Sequence, residues 1–222
     1  MSEIIDTYRS LSHRSEGLYK EKGSKFIGIA IPVKDEDEIK EALDSIRKEY
    51  HDARHHCYAW TLGADRSRYR ANDDGEPSSS AGKPILGRLE SFKLTQLLIV
   101  VVRYFGGTKL GVGGLINAYR SAAEDAINNG KIVERKMKTY FEIKFTYEVM
   151  NEVMQLVKNS TIDQLSHQFE LDCQMKLACA QGEFEAIKTV FLKVENVELK
   201  ELYSEFLGEA AGQRVVIYAQ EF

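Results

Sequence analysis

The residues that could do chemistry are concentrated in one glycine-rich stretch, VVRYFGGTKLGVGGLINAYRSAA, at residues 101–123. An apolar strand pattern runs into an arginine and a tyrosine, five glycines follow within nine residues, and a helical pattern then begins. A glycine-rich turn at a helix N-terminus presents free backbone amides to an anion, and the helix dipole favours the same charge. The pattern predicts a nucleic-acid-binding or anion-binding site at Arg103, Tyr104, Gly106, Gly107, Lys109, Gly111, Gly113, Gly114 and Arg120.

The same glycines have a second, purely conformational interpretation. Glycine adopts positive φ angles and lets a strand and a helix approach closely, so the fold alone would require these residues. Under this interpretation Gly113 has a positive φ, and Gly113→Val destabilises the domain because a β-branched residue tolerates that conformation poorly. The sequence leaves both interpretations open.

The two familiar nucleotide-binding loops do not fit the glycine-rich stretch. Gly106 and Gly111 have the spacing of a Walker loop, but Val112 stands where the lysine belongs. The segment AGKP supplies Gly82 and Lys83, but Pro77 stands at the position of the first glycine and Pro84 at that of the last hydroxyl residue. A dinucleotide fingerprint that starts at Gly111 meets Ile116 instead of its last glycine. We therefore predict no nucleotide cofactor.

A second polar segment, NDDGEPSSSAGKPILGRL at residues 72–89, is predicted to form a long loop beside this site. It contains two of the three prolines and an Asp-Gly turn. Loops on a rigid scaffold often carry functional residues, so Lys83 and Arg88 join the predicted binding set. A surface connection without function is the alternative. The three acidic residues of the segment lack the spacing of a calcium loop, so no metal site is predicted.

The histidines and cysteines give no catalytic pattern. His51 and His55 would share one face only if a helix continued through both, whereas the predicted strand at residue 55 separates them. His55 and His56 then lie on opposite faces, and Cys57 has no recognisable nucleophile setting. No G-x-S-x-G elbow is present. We predict structural roles for these residues and no catalytic residue, which favours a non-enzymatic protein without deciding the question.

Hydrophobic periodicity divides the chain into two parts that each mix helices and strands. In the first part we predict strands at 23–33, 55–62, 66–70 and 94–104, with helices at 35–50 and 113–129. Asp35 and Glu38 have the spacing of a capping box. In the second part we predict strands at 138–146, 161–169, 172–180 and 196–203, with helices at 147–158 and 183–194.

The element order of the second part, strand, helix, strand, strand, helix, strand, is that of a ferredoxin-like domain. We place the domain boundary in the charged segment KIVERKMK, which gives domains at 1–134 and 137–222. The tail GQRVVIYAQEF is predicted to add one further strand. The fold class expected is therefore α+β in two domains.

Composition fits a protein of the cytoplasm. Of its 222 residues 43% are hydrophobic and 29% charged, which is typical of soluble globular domains. No apolar run approaches the roughly 20 residues of a membrane span, and MSEIIDTYRS lacks the features of a signal peptide. The three scattered cysteines are expected to be reduced. We expect a cytoplasmic protein without membrane contact.

Positive charge collects around the glycine-rich stretch. Residues 51–120 contain ten Lys and Arg against six Asp and Glu, although the whole chain has a net charge of −4. Residues 136–222 contain nine against fourteen. A phosphate-bearing partner needs such a positive region, although surface charge also varies in this way without function.

Three segments together resemble the YigZ/IMPACT family in its two-domain bacterial form. They are HHCYAW, DDGEPSSSAGKPIL and VVRYFGGTKLGVGGLINAYRSAA, in this order and spacing. The family loop usually reads like DGEPSGTAGKP, so Ser79 and Ser80 depart from a glycine and a threonine. The resemblance implies an N-terminal ribosomal S5 domain 2-like domain and a C-terminal ferredoxin-like domain, a pair similar to the fourth and fifth domains of the translocating elongation factor.

The resemblance also implies a role in translation, because eukaryotic relatives act in translational control through a regulator of a stress-responsive kinase. We therefore expect a non-enzymatic, translation-associated regulatory protein that binds RNA, the ribosome or a translation factor, with Tyr104 stacking on a base. The alternative is an enzyme or binding protein that acts on a small phosphorylated ligand at the glycine-rich loop, since sugar kinases share the S5-like fold. A protein-interaction module is a third interpretation.

Overall fold

The chain folds into two compact units of mixed helices and strands. The computed structural model describes residues 7–169 and 173–206, and the side chains of residues up to 202. One unit comprises Tyr8–Glu134, and the other continues from Arg135. The division falls inside a strand, so the segment KIVERKMK, predicted as a connection, belongs to regular structure. The predicted strand in the tail GQRVVIYAQEF lies outside the described residues.

The first unit is built on a five-stranded antiparallel sheet with three helices. Its elements are β1 (Thr7–Leu11), β2 (Ser15–Glu21), β3 (Ser24–Pro32), α1 (Glu36–Glu49), β4 (His55–Leu62), β5 (Arg68–Asn72), α2 (Gly82–Ser91), β6 (Leu97–Tyr104) and α3 (Gly111–Asn128). The sheet has the order β2-β3-β6-β4-β5. Four predicted strands and both predicted helices are present, whereas β1, β2 and α2 were not predicted.

The sheet is covered on both faces, which explains the unbroken apolar runs of β4 and β6. Alternate residues of these strands enter two separate cores. Tyr58, Trp60 and Val100 pack on the α1 face, whereas Cys57 and Val101 pack on the face of α2 and α3. A strand buried on both sides has no solvent face, so its sequence does not alternate.

Helix α1 begins at the predicted cap. The backbone N–H of Glu38 donates to Asp35 Oδ1 at 2.9 Å. The Glu38 carboxylate reaches back to the N–H of Lys34, also at 2.9 Å, one residue further than in a standard capping box. Both bonds satisfy donors at the helix N-terminus that have no partner within the helix.

Helix α3 lies unusually close to β2 and β3. A Cβ atom at Gly28 would lie 2.2 Å from the carbonyl oxygen of Ala122, and one at Gly17 would lie 2.2 Å from the backbone nitrogen of Ala126. No real side chain fits at such distances, so the two strands must have glycine where the helix crosses them. This contact fixes the position of α3.

The predicted loop at residues 72–89 is wrong in its second half, where α2 begins at Gly82. The start of α2 has no capping residue next to it in the sequence, because the capping carboxylate comes from Asp73, nine residues before Gly82. Asp73 Oδ1 accepts the backbone N–H groups of Ala81 at 3.0 Å and Gly82 at 2.8 Å. Pro84 lies in the first turn, where a backbone N–H would have no helical partner, so its ring is tolerated there.

The second unit has the predicted order of strands and helices. Its elements are β7 (Ile132–Phe145), α4 (Met150–Lys158), β8 (Asp163–Phe169), β9 (Cys173–Ala180), α5 (Phe184–Phe191) and β10 (Val197–Phe206). The antiparallel pairing order is β10-β7-β9-β8. Phe141, Phe184 and Phe191 form an aromatic cluster in the core. Strand β7 begins six residues earlier than predicted.

Two further features concern cysteines and membrane contact. Cys57, Cys173 and Cys179 are all buried and unpaired, as expected for reduced thiols. Across the described part of the chain, no helix is both long and apolar enough to cross a bilayer.

Candidate functional site

A groove with a volume of about 630 Å³ lies where β6 ends and α3 begins. We call it the β6–α3 groove. It is lined by four short segments and one further residue of α3: residues 52–55, residues 76–77, residues 103–105, residues 109–112 and Leu115. The first and third segments are neighbours because β4 and β6 are antiparallel, with His55 opposite Arg103. The groove therefore collects residues that are far apart in the sequence.

Arg103 is not the exposed cation that the sequence suggested. Its side chain is only 9% exposed, and its guanidinium donates to Glu76 Oε1 at 2.5 Å. The hydroxyl of buried Tyr119 donates to the same oxygen at 2.8 Å. Glu76 has a side chain that is 4% exposed, so the pair is desolvated on both sides. Arg103 thus holds a buried carboxylate.

The Arg103 guanidinium also makes cation–π contacts with two aromatic rings. Its central carbon is 5.5 Å from the centroid of the Phe26 ring and 5.5 Å from that of the Phe105 ring. Phe26 is fully buried, whereas Phe105 is 57% exposed. Arg103 Nε is buried and has no acceptor among the described residues. Arg103 thus contacts one buried ring and one exposed ring, and the exposed ring, Phe105, lines the groove.

Tyr104 is also engaged in an internal contact. Its hydroxyl donates to Asp52 Oδ1 at 2.7 Å. This hydrogen bond raises the pKa of Tyr104 to about 12 and lowers the pKa of the Asp52 carboxyl. The tyrosine thus stays protonated and the aspartate ionised, as the bond requires. The bond joins the end of β6 to the segment before β4, and together these form one wall of the groove.

Two cations at the groove carry unpaired charge. Arg54 and Lys109 are exposed, and neither forms an ion pair with any residue in the described ranges. Lys109 lies in the turn between Gly107, at φ +87°, and Gly111, at φ +72°. Because both glycines occupy the left-handed region, this turn depends on them. The turn places an unpaired ammonium group beside the start of α3.

The predicted positive φ at Gly113 is wrong, because this residue belongs to the first turn of α3. A Cβ at Gly113 would have no atom within 4 Å, so neither conformation nor packing requires glycine there. Gly106 is different, since its Cβ would lie 1.9 Å from the carbonyl carbon of Gly23. At Gly114 a Cβ would lie 3.0 Å from Leu110 Cβ. The conformational interpretation therefore explains some of these glycines but not Gly113.

Three predicted cations lie outside the groove lining. Lys83 is exposed in the first turn of α2, and Arg120 is exposed on α3. Arg88 is half-buried, and its guanidinium lies 3.5 Å from Glu124 Oε2. Of the predicted set, only Arg103, Tyr104, Lys109 and Gly111 line the groove.

Most of the groove lining was not predicted, and the missed residues include an exposed cation, Arg54, and an exposed ring, Phe105. Arg54 lies outside every motif, and only the pairing of β4 with β6 brings it to this site. Phe105 follows directly after Tyr104, so the sequence did contain an aromatic residue at the right place. Nothing local indicated that Phe105, rather than Tyr104, would be the exposed ring.

The acidic loop and the histidines maintain the local structure. Asp74 Oδ2 accepts the backbone N–H of His56 at 2.6 Å. His55 Nδ1 lies 2.8 Å from the Asp74 carbonyl oxygen, so it carries a proton and donates it. His56 Nε2 lies 3.1 Å from the carbonyl oxygen of Tyr50. The loop carboxylates are thus bound to protein groups, and the described residues contain no cluster of three metal-ligating side chains.

Hydrogen bonds from Ser79 and Ser80 hold the loop before α2. Ser79 has φ +61°, in the left-handed region, and its backbone N–H donates to Asp73 Oδ2 at 2.8 Å. Ser80 donates its hydroxyl to the carbonyl oxygen of Pro77 at 2.6 Å. Asp73 therefore binds both the loop and the start of α2.

The nucleophiles nearest to the groove are held in their neutral forms. Burial raises the pKa of the Cys57 thiol well above its ordinary value, and its Sγ donates to the carbonyl oxygen of Asp73 at 3.0 Å. Burial likewise raises the pKa of the Tyr119 hydroxyl. A thiol that stays protonated is a poor nucleophile.

Comparison with known proteins identifies relatives over most of this chain. A sequence model of the Impact N-terminal domain matches residues 22–127, which include the whole groove. The IMPACT family member YvyE of Bacillus subtilis is 34% identical over 71% of this chain and 72% of its own length. The IMPACT family member YigZ of Escherichia coli is 35% identical over 61% of this chain and 68% of its own length.

A solved structure has the same fold. The crystal structure of a hypothetical protein superposes with a TM-score of 0.67 at 24% sequence identity. The superposition covers 92% of this chain and 99% of that one. At this level of identity, the match concerns the fold alone.

Proposed function

Because this chain belongs to the IMPACT family, we propose that it is a non-enzymatic, translation-associated regulatory protein that binds RNA at the β6–α3 groove. The RNA is free or part of the ribosome. The translational role is supported by the resemblance to eukaryotic relatives that act in translational control. We also infer that the first unit is S5 domain 2-like and the second ferredoxin-like, which the βαββαβ order of the second supports.

The observation that carries this proposal is the pair of unpaired cations beside an exposed aromatic ring. Arg54 and Lys109 have no acidic partner among the described residues, and Phe105 is 57% exposed beside them. Single-stranded RNA is held by cations that meet its phosphates and by aromatic rings that stack on its bases. The groove offers both kinds of group within one cavity.

The predicted binding residues take different roles in this proposal. Lys109 and the unpredicted Arg54 contact phosphate directly, and the glycines at 107, 111 and 113 leave the backbone open to the ligand. Arg103 and Tyr104 position the groove instead of contacting RNA. Lys83 and Arg120, exposed on α2 and α3, are outer phosphate contacts. Arg88 is left out because it pairs with Glu124.

A filter-binding series across salt tests the proposal. We expect the wild type to bind a short single-stranded RNA, with an affinity that falls as salt rises. Each lost phosphate contact lowers the slope of log affinity against log salt by about 0.7. Arg54→Ala with Lys109→Ala should therefore lower it by about 1.4. Absence of RNA and ribosome binding at low salt would refute the proposal.

The matched control removes two cations elsewhere. Lys40 and Lys48 are exposed on α1, which packs on the opposite face of the sheet. Lys40→Ala with Lys48→Ala changes the net charge by the same amount as the groove variant. We expect its salt slope to match that of the wild type. An equal loss in both variants would indicate non-specific attraction.

One observation favours the alternative, a small phosphorylated ligand. The groove volume of about 630 Å³ lies within the range of small-molecule sites. Thermal-shift screening with nucleotides and sugar phosphates separates the two functions. A ligand that raises the melting temperature of a chain that binds no RNA would support the alternative.

A further inference from the structure

We infer that the β6–α3 groove selects unpaired nucleotides, with Phe105 as the platform on which one base stacks. This inference rests on the proposed function and adds the form of RNA that the groove accepts. It replaces Tyr104, the predicted stacking residue, whose hydroxyl is bound to Asp52.

The first argument is the exposure of Phe105. A phenylalanine that is 57% exposed beside a groove leaves a large apolar surface in water. Its neighbours in the groove include Leu110 and Val112, and Val112 is itself 53% exposed. A stacked base would cover apolar surface of this kind, and base-aromatic stacking tolerates any base because each base has a π-face.

The second argument is the rigidity of the platform. Arg103 lies 5.5 Å from the Phe105 ring centroid and is anchored to Glu76, which Tyr119 also binds. The following residue, Gly106, donates its backbone N–H to Ser24 Oγ at 3.1 Å and packs against Gly23. The ring thus contacts an anchored side chain, and the residue that follows it is hydrogen-bonded at the start of β3. A rigid ring loses little conformational entropy when a base stacks on it.

The third argument is the charge at the groove. Five ionisable side chains other than the tyrosine and histidine line it: Arg54, Lys109, Arg103, Asp52 and Glu76. Arg103 neutralises Glu76, whereas Asp52 keeps its negative charge when it accepts the Tyr104 hydroxyl. Three cations against two carboxylates still leave the lining positive. Arg54 and Lys109 remain for the phosphates on either side of the stacked base. In a duplex the bases already stack on each other, so only an unpaired nucleotide offers both its base face and its phosphates.

The experiment compares two RNA forms and three variants of the full chain. The probes are a short labelled oligoadenylate and the blunt duplex that it forms with oligouridylate. We expect the wild type to prefer the single strand. Phe105→Leu should lower the single-strand affinity about tenfold and leave duplex binding unchanged, because stacking on an aromatic ring is lost. Phe105→Tyr keeps a ring and should bind as the wild type does.

Lys109→Ala separates stacking from phosphate contact. This variant should weaken binding of both RNA forms and reduce the salt dependence. Melting temperatures should be equal across all variants, because the altered side chains are exposed. Equal affinity for duplex and single strand, or wild-type binding by Phe105→Leu, would overturn the inference while the proposed function stands. No binding of either RNA would overturn both.

Discussion

Replacing Arg103 with methionine should destabilise the first unit strongly. Methionine keeps much of the volume between Phe26 and Phe105 but removes the charge that faces Glu76. The Glu76 side chain is 4% exposed, so its carboxylate would stay buried with only the Tyr119 hydroxyl as a partner. Breaking a buried ion pair by removing one partner costs about 3 to 5 kcal/mol. That is a large part of the typical stability of a domain, about 5 to 15 kcal/mol.

The matched double variant identifies the cause of this loss. Arg103→Met with Glu76→Gln removes both charges, and the glutamine oxygen can still accept the Tyr119 hydroxyl. Because neutral replacements of a buried pair are often tolerated, we expect the double variant to lose only about 1 kcal/mol. Adding the second substitution should therefore restore stability.

Urea unfolding followed by tryptophan fluorescence measures these free energies. The chain contains one tryptophan, Trp60, which is 7% exposed in β4 and so reports on the first unit. A loss below about 1 kcal/mol for Arg103→Met would refute the reasoning, since breaking a desolvated ion pair costs more than that. A double variant that is less stable than Arg103→Met alone would refute it as well.

Three further predictions concern backbone, packing and thiols. Ser79→Gly should raise the free energy of unfolding by about 0.5 to 1 kcal/mol, because it removes the backbone strain of a serine in the left-handed region. A lower urea midpoint would contradict this. Gly28→Ala should lower the free energy of unfolding by about 1 to 3 kcal/mol, because the new methyl group would clash with the Ala122 carbonyl oxygen. Gly113→Ala should raise it by about 0.5 to 1 kcal/mol, because a helical glycine is replaced where there is room. Equal urea midpoints for the two variants would disprove the packing argument. At pH 8 the native thiols should resist iodoacetamide until urea unfolds the chain, because the thiols are buried and burial raises the pKa of Cys57. Mass spectrometry that finds Cys57 alkylated in the native protein would contradict this burial.

Local patterns predicted the elements that carry strong apolar periodicity. Strand β4 was predicted with its observed bounds, and β3, β6, α1 and α3 within three residues at either end, because each buries an apolar face or run. Strand β2, SEGLYKE, was not predicted. It is short and rich in charge, and the contact that requires its glycine is with α3, more than 100 residues away.

Features that depend on distant partners could not be predicted from the sequence. The cap of α2 comes from Asp73, nine residues before Gly82, so a local search found only glycine and proline. The burial of Arg103 depends on Glu76, which lies 27 residues earlier. Charge and spacing directed attention to residues 101–123, but only the folded structure separates the buried residues of this stretch from the exposed ones.

Photo-crosslinking tests the central claim most directly. A single-stranded RNA that contains 4-thiouridine is bound to the full chain, the complex is irradiated, and the protein is then digested with trypsin. We predict crosslinks in the tryptic peptide Tyr104–Lys109, which contains Phe105 and the glycine turn. The peptide should lose its crosslink when Phe105 is changed to leucine. Crosslinks confined to the exposed strand β5 or to the second unit would contradict the account, because RNA would then bind away from the β6–α3 groove.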